Sequence, residues 1–251
     1  MRHSLASGGG GRTLGRRHLT LTPQHGTRVL LIGNSRWHWG ERNAFGLHFD
    51  HALPDVARLE GGLEGWAAVG AVPAQLMSAE QRRIRLRDVP LSGCPPWLGV
   101  DRAIGAWAGW TRSSTLSLDL SSGLLLVDAG TVLSLTVLSP EGEFVGGQLI
   151  PGYRLQLSAM TQGTEALPET VFAAPGKEQF PKDTMSAMRR GVLQAMVSVV
   201  KDAQRACGGL LWLCGGDAEL LATELRHSSP QLQLDPELQL RGLFDLLDSS
   251  I

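Results

Sequence analysis

The feature that most constrains this chain is an apolar strand that runs directly into a glycine turn, and it occurs three times. Arg28-Val29-Leu30-Leu31-Ile32 reads as a buried strand ending in Gly33-Asn34-Ser35. Leu124–Val127 ends in Asp128-Ala129-Gly130-Thr131, and Leu210–Leu213 ends in Cys214-Gly215-Gly216-Asp217. In the first two cases a returning strand follows, Arg36–Trp39 and Val132–Leu138, so each half opens on a hairpin. The two openings lie about 97 positions apart, the weak internal similarity expected of a duplicated domain.

Between and after these hairpins the period changes. Pro54–Glu60 reads as a short helix and Gly65–Val72 as an apolar strand. Gln81–Val89 alternates Arg83, Arg85 and Arg87 with Ile84 and Leu86, the period-2 mark of a half-buried strand. A helix is expected from about Asp101 to Arg112, with Ala103, Ile104, Trp107 and Trp110 on one face. The polar stretch Thr111–Gly123 reads as a boundary. Beyond it, Glu143–Val145 is a strand, Gly146–Gly152 a strand-to-helix loop, and a helix begins at Pro151. Asp183–Ala206 is a long helix with Met185, Met188, Val192, Met196 and Val199 in an apolar stripe, and Ala218–Leu225 a short one. Strands interleaved with helices point to an α/β or α+β chain and away from a sandwich or a bundle. The expected division is an N-terminal extension at 1–26, one domain at 27–120 and a second at 121–251.

Composition narrows the function classes. Net charge is −1 over 251 residues, so no global basic field points to nucleic acid or an anionic membrane. The balance is uneven: residues 1–40 contain no Asp or Glu, and the four arginines of the first 26 leave a net −5 elsewhere. That segment has no apolar core, so it reads as a disordered extension or an over-called start site, with a transit-like segment as the alternative, and not as a secretory signal. The apolar stretch Gly123–Leu138 is interrupted by Asp128 and Gly130 and is too short to span a bilayer. Three cysteines, Cys94, Cys207 and Cys214, form no metal-ligand spacing and suit a reduced, cytoplasmic setting. Only three lysines occur, Lys177, Lys182 and Lys201, against 20 arginines, so a lysine-based phosphate loop or Schiff base has few candidates.

Glycine lets a backbone approach a ligand closely, and a neighbouring Ser or Thr adds a hydroxyl donor for phosphate oxygens. A single such turn needs only a glycine backbone; three, each at a strand end, point to a nucleotide cleft. None is a GxxxxGK[ST] loop and no GxGxxG follows a strand. Asp101, within Gly99-Val100-Asp101-Arg102, is either a helix N-cap or a general base whose neighbour Arg102 holds a substrate carboxylate. The histidines do not cluster, and His38, between Trp37 and Trp39, reads as a strand residue. Most tryptophans read as core, with Trp97 beside Gly99 able to wall a small pocket.

Taken in order, these segments resemble the type III pantothenate kinases of the acetate kinase/sugar kinase/Hsp70/actin superfamily, over roughly residues 28–245. Gly99-Val100-Asp101-Arg102 matches that family's G-x-D-R and Asp128-Ala129-Gly130-Thr131 its D-x-G-T. The run from Gly142 to Gly152 matches G-x-(aromatic)-x-G-G-x-I-x-P-G. Asp183-Thr184 with Ala187 and Gly191 resembles N-T-x-x-A-x-x-x-G, and Gly215-Gly216-Asp217-Ala218 resembles T-G-G-D-A. The resemblance implies an α/β fold of two RNase-H-like (actin-like ATPase) domains with an active-site cleft between them, assembled as a homodimer. It implies ATP-dependent phosphorylation of the primary hydroxyl of pantothenate, the first step of coenzyme A synthesis, with Mg²⁺ and a monovalent cation, K⁺ or NH₄⁺. Asp101 would be the base. Gly99, Val100 and Arg102 would hold pantothenate, with Thr184 reaching it from the partner subunit. Gly33, Asn34, Ser35 and Thr131 would bind ATP, and Asp128 would mark the monovalent-cation site. No membrane or nucleic-acid partner is implied.

Two positions depart from the pattern. Leu31 stands where the first phosphate motif carries Asp, and Thr136 where the second usually carries a further Asp. Both changes remove carboxylates that would help organise a cation. The expectation is a divergent but active kinase, since Asp101, Arg102, Asp128 and Thr184 remain. The alternatives are a non-catalytic nucleotide-binding regulatory homologue, and a sugar or carboxylate kinase of the same superfamily.

Overall fold

A computed structural model describes residues 26–169 and 172–249. The expected extension at 1–26 lies, except for Gly26, outside the described residues.

The first apolar run forms β1 (Thr27–Ile32), which turns back as β2 (Trp37–Asn43) and again as β3 (Gly46–Ala52). β4 (Gly65–Ala68) then joins β1 in parallel, giving a sheet of order β3-β2-β1-β4. The second half repeats this plan. β5 (Leu124–Ala129), β6 (Val132–Leu138) and β7 (Phe144–Pro151) form an antiparallel meander, and β8 (Leu210–Cys214) pairs with β5 in parallel. A short β9 (Gln233–Leu234) extends the sheet, whose order is β7-β6-β5-β8-β9. The two sheets share strand order and direction through their first four strands, which is the structural counterpart of the repeated strand–turn–strand sequence.

Among the described residues, five α-helices clothe the sheets: α1 (Val100–Thr115), α2 (Tyr153–Gln162), α3 (Thr184–Cys207), α4 (Ala218–Leu225) and α5 (Leu238–Ser249). α1 is buried between the sheets. Ala103 and Ile104 join the first sheet's Val29 and Leu31, while Ala106 and Ala108 join the second sheet's Leu124 and Leu126. Small residues make that position possible: a Cβ on Gly242 of α5 would lie 2.8 Å from Ile104 Cγ2. α5 follows the second sheet in sequence but packs on α1 and the first, through Leu240, Leu243 and Phe244. The far face of the second sheet is covered by α3, whose Met188, Val192, Leu193, Met196, Val197 and Val200 are buried as a continuous stripe. Gly208, at φ 68°, ends that helix in the left-handed conformation.

Several expectations are corrected. Residues 81–89 are not a strand: 3-10 turns occupy Ala74–Arg82 and Leu86–Asp88, and only Arg83 forms a bridge, to Trp66. The arginine alternation follows ion pairing and ring contact there, since Arg83 and Arg85 pair with Glu80 and Arg83 also lies over the Trp66 ring. The run 146–151 is not a loop but the body of β7, so Gly146 and Gly147 are strand residues. Strands β3 and β9 and helix α5 are additional to the expected elements, although β3 alternates Leu47 and Phe49 with His48 and Asp50, and α5 carries Leu240, Leu243, Phe244 and Leu247 at helical spacing.

Candidate active site

The glycine turns that close β1 and β5 meet. Thr131 Oγ1 donates to Ser35 Oγ at 3.0 Å, joining the first hairpin turn to the second across 96 positions of sequence. The third turn approaches from β8. Gly215, at φ 87°, lies so close that a Cβ there would stand 2.4 Å from Asp128 Oδ1. Parallel pairing of β5 with β8 produces this, because it places Asp128 opposite Cys214 at the carboxyl end of both strands. Gly33, Asn34, Ser35, Thr131 and Asp128 thus come together at one mouth.

α1 delivers Asp101 to the same place. The helix is capped by the backbone of Gly99, and Asp101, in the first turn, is not its N-cap. Its Oδ1 instead accepts from the Arg102 backbone N–H at 2.8 Å. A Cβ on Gly99 would lie 2.5 Å from that oxygen, so the glycine makes room for the folded-back carboxylate. Burial pushes the Asp101 carboxyl above the ordinary range, opposed by the backbone bond and charge of Arg102. Asp128 is raised further, to about 7, first by burial and then by the negative charge of Asp101. Two carboxylates in one desolvated cleft resist ionising together.

Gln239, at the start of α5, links them. Its Nε2 donates to Asp128 Oδ2 at 3.0 Å and reaches the Asp101 carbonyl oxygen at 3.4 Å. Sequence reasoning missed this residue, because a lone glutamine 138 positions from Asp101 carries no motif.

Arg102 is buried, with 8% exposure. Its Nε donates to Thr136 Oγ1 and one Nη to the Leu135 carbonyl, both at 3.1 Å. Thr136 lies directly across from Gly147 in the β6–β7 ladder, and a Cβ on Gly147 would come within 2.5 Å of the guanidinium. Thr136, at the position where a carboxylate was expected, therefore serves the arginine as a neutral acceptor. Val100 is buried beside Gly99. These two residues help line a pocket of about 330 Å³ with Val69, Arg83, Arg85 and Leu98. A larger cavity of about 480 Å³, between Trp107, Trp110 and Gly142, is lined by none of the candidate site residues. Thr184 is exposed at the first position of α3, where Asp183 caps the helix by accepting from Ser186 N–H. Trp97 is largely exposed and does not line the pocket.

Two of the seven histidines do pair. His38 on β2 and His51 on β3 are cross-strand partners, and their Nδ1 atoms are 2.8 Å apart. His51 Nε2 lies 2.9 Å from Glu237 Oε1, just before α5. His51 lies in a strand that was not anticipated, so the pair was invisible in the sequence.

The type III pantothenate kinase family model matches residues 68–206, more than half of the chain. The chain belongs to the type III pantothenate kinase family. A type III pantothenate kinase of Synechococcus elongatus is 34% identical over 249 aligned residues, covering 86% of this chain and 94% of that protein. Among solved structures, a Campylobacter jejuni protein described as a conserved Baf family transcriptional activator aligns with TM-score 0.58 at 20% identity. It covers 89% of this chain and 98% of its own. A Sinorhizobium meliloti protein described as a 2-dehydro-3-deoxygalactonokinase aligns with TM-score 0.54 at 12% identity, covering 89% and 99%. These likenesses establish the fold: two sheets of repeated order in the actin-like ATPase arrangement. As a member of a kinase family, the chain uses ATP and a divalent metal.

Proposed function

We propose that this chain phosphorylates the primary hydroxyl of pantothenate with ATP, giving 4'-phosphopantothenate, and that Asp101 is the general base. The observation that carries this reading is the meeting of Asp101 with Asp128 and the Ser35–Thr131 pair at one cleft mouth. Nothing in the comparisons favours the non-catalytic alternative. Phosphoryl transfer passes through a loose transition state, so placement and charge neutralisation matter more than covalent chemistry. Asn34, Ser35 and Thr131 offer backbone N–H groups and hydroxyls to the ATP phosphates, while Gly33, whose N–H donates to the Arg36 carbonyl at 3.0 Å, holds the turn that presents them. Asp101, with a carboxyl raised by burial, takes the hydroxyl proton late in transfer.

Mg²⁺ supplies charge neutralisation on the transferring phosphate oxygens when bound with ATP. The residues present fit a metal carried mainly by the nucleotide: no group of three His, Cys, Asp or Glu is gathered among the described residues, while Asp128 offers one carboxylate. Asp128 would hold K⁺ or NH₄⁺, and a cation beside it would favour its ionised form. The pocket at Gly99 and Val100 suits the acceptor, with Arg83 and Arg85 at its wall for the pantothenate carboxylate. Arg102 fixes the floor under Gly147 and places positive charge behind Asp101.

Two lobes, 27–120 and 121–251, with α5 of the second covering the first, belong to the same reading. So does a homodimer in which Thr184 contacts pantothenate from the partner subunit. Exposed Val145 and Leu149 on β7 and Leu155 on α2 support it. No helix among the described residues is long and apolar enough to cross a membrane, and the three free cysteines suit a cytoplasmic setting.

The experiment is mass-spectrometric detection of phosphopantothenate from purified protein, ATP, Mg²⁺ and pantothenate, with and without K⁺ or NH₄⁺. Product that rises with the monovalent cation is expected. No product under any cation condition overturns the proposal.

A further inference from the structure

The first phosphate turn carries no carboxylate, and its one charged residue, Arg36, reaches the His51 carbonyl oxygen at 3.4 Å. Leu31, two residues before Gly33 and therefore on the same face of β1, is buried and apolar, and its cross-strand partner is His38. The His38 ring fills the space a side chain at position 33 would occupy: a Cβ on Gly33 would lie 3.0 Å from His38 Nε2. One edge of this imidazole thus lies on the turn, while the other meets His51 at 2.8 Å. His51 in turn meets Glu237 at 2.9 Å, and Glu237 Oε2 is buried with no hydrogen-bond partner.

We propose that His38 is a nucleotide-positioning residue: its Nε2–H, oriented by the Glu237–His51 pair, donates to a phosphate oxygen of ATP at the Gly33–Ser35 turn. This rests on reading that turn as part of the ATP site. The tautomers follow from the chain of bonds. A cationic His51 donates from Nε2 to Glu237 and from Nδ1 to His38 Nδ1, which leaves the His38 proton on Nε2, facing the turn. A neutral His51 keeps its Nε2–H on Glu237 and takes a hydrogen bond from His38 Nδ1–H, so a lone pair then faces the phosphate.

The surrounding groups set which state prevails. Glu237 raises His51 above its ordinary 6.5, with Asp50 adding to this, while Arg36 and burial oppose it. Burial, His51 and Arg36 lower His38 to about 4, so His38 is neutral and a single donor near pH 7. Nucleotide affinity accordingly falls as pH rises through the elevated titration of His51.

The test is calorimetric binding of a non-hydrolysable ATP analogue with Mg²⁺ to the full chain, between about pH 6 and 9. His38→Ala should bind about tenfold more weakly, ~1.4 kcal/mol, with the KM for pantothenate unchanged. His38→Gln, which keeps an amide donor, should recover most of the affinity. Glu237→Gln should move the decline in affinity to lower pH. Wild-type protein that fails to bind the analogue overturns the assignment of the turn, and this proposal with it. Wild-type binding that His38→Ala leaves unchanged overturns this proposal alone. Equal losses in His38→Ala and His38→Gln, with no shift of the midpoint in Glu237→Gln, make the ring a spacer and contradict the donor role. Should His38→Ala not fold, His51→Ala decides: weakened binding supports the relay and unchanged binding overturns it.

Discussion

Gln239 Nε2 donates to Asp128 Oδ2 at 3.0 Å, so helix α5, which packs on the first sheet, controls a carboxylate on the second. This hydrogen bond opposes the burial and the Asp101 charge that raise Asp128 to about 7. In Gln239→Leu the titration moves higher, and at pH 7 a proton competes more strongly with any cation at Asp128. The K⁺ concentration for half-maximal activity should rise several-fold at pH 7, by roughly the ~1 kcal/mol of one hydrogen bond. Most of the difference should vanish near pH 9, where the carboxylate is ionised in both proteins.

Asp128 also links stability to pH. Its carboxyl titrates near 3.8 when unfolded and at about 7 when folded, so the folded chain binds the extra proton between those values. Stability from this group is fully present below the lower value and is lost as pH rises through 7. At ~1.36 kcal/mol per pH unit the ceiling is about 4 kcal/mol, and residual solvent access reduces it. In the absence of cation and nucleotide, Asp128→Asn should melt higher than wild type at pH 8. The gap should close below pH 4, as followed by calorimetry.

Thr136 supplies the neutral acceptor for buried Arg102 Nε at 3.1 Å. Thr136→Val keeps the volume and leaves that donor unpaired, a loss of about 1–3 kcal/mol. Chemical denaturation should show a lower midpoint with an unchanged slope.

Gly99→Ala should act on chemistry more than on folding. Its new Cβ meets Asp101 Oδ1 at 2.5 Å, the far end of a side chain that can rotate away. A displaced base costs on the order of 10²-fold in rate. The expected kinetics are a kcat drop of that size, with the KM for ATP and the melting temperature near wild type.

Much of this was legible in the sequence, for a physical reason. β1, β5 and β8 are central, buried strands, so their apolar runs and terminal glycines are dictated by local chemistry, and the turns identified from them do converge. Gln239, Glu237 and His51 were not legible. Each functions through a tertiary contact between segments far apart in sequence, β3 at a sheet edge and α5 returning to the first sheet, and no local pattern names such a partner. The arginine-rich 81–89 segment misled because its alternation reflects pairing with Glu80 and stacking on Trp66, which a period-2 strand pattern imitates.

If Asp101 accepts the acceptor hydroxyl's proton in the ATP-dependent transfer, its loss slows the chemical step and spares the nucleotide site. Single-turnover phosphorylation of pantothenate by Asp101→Asn, set beside calorimetric binding of the ATP analogue to the same protein, tests it most directly. The expected rate is lower by about 10²–10⁴-fold with nucleotide affinity near wild type. A wild-type rate in Asp101→Asn would contradict the base role.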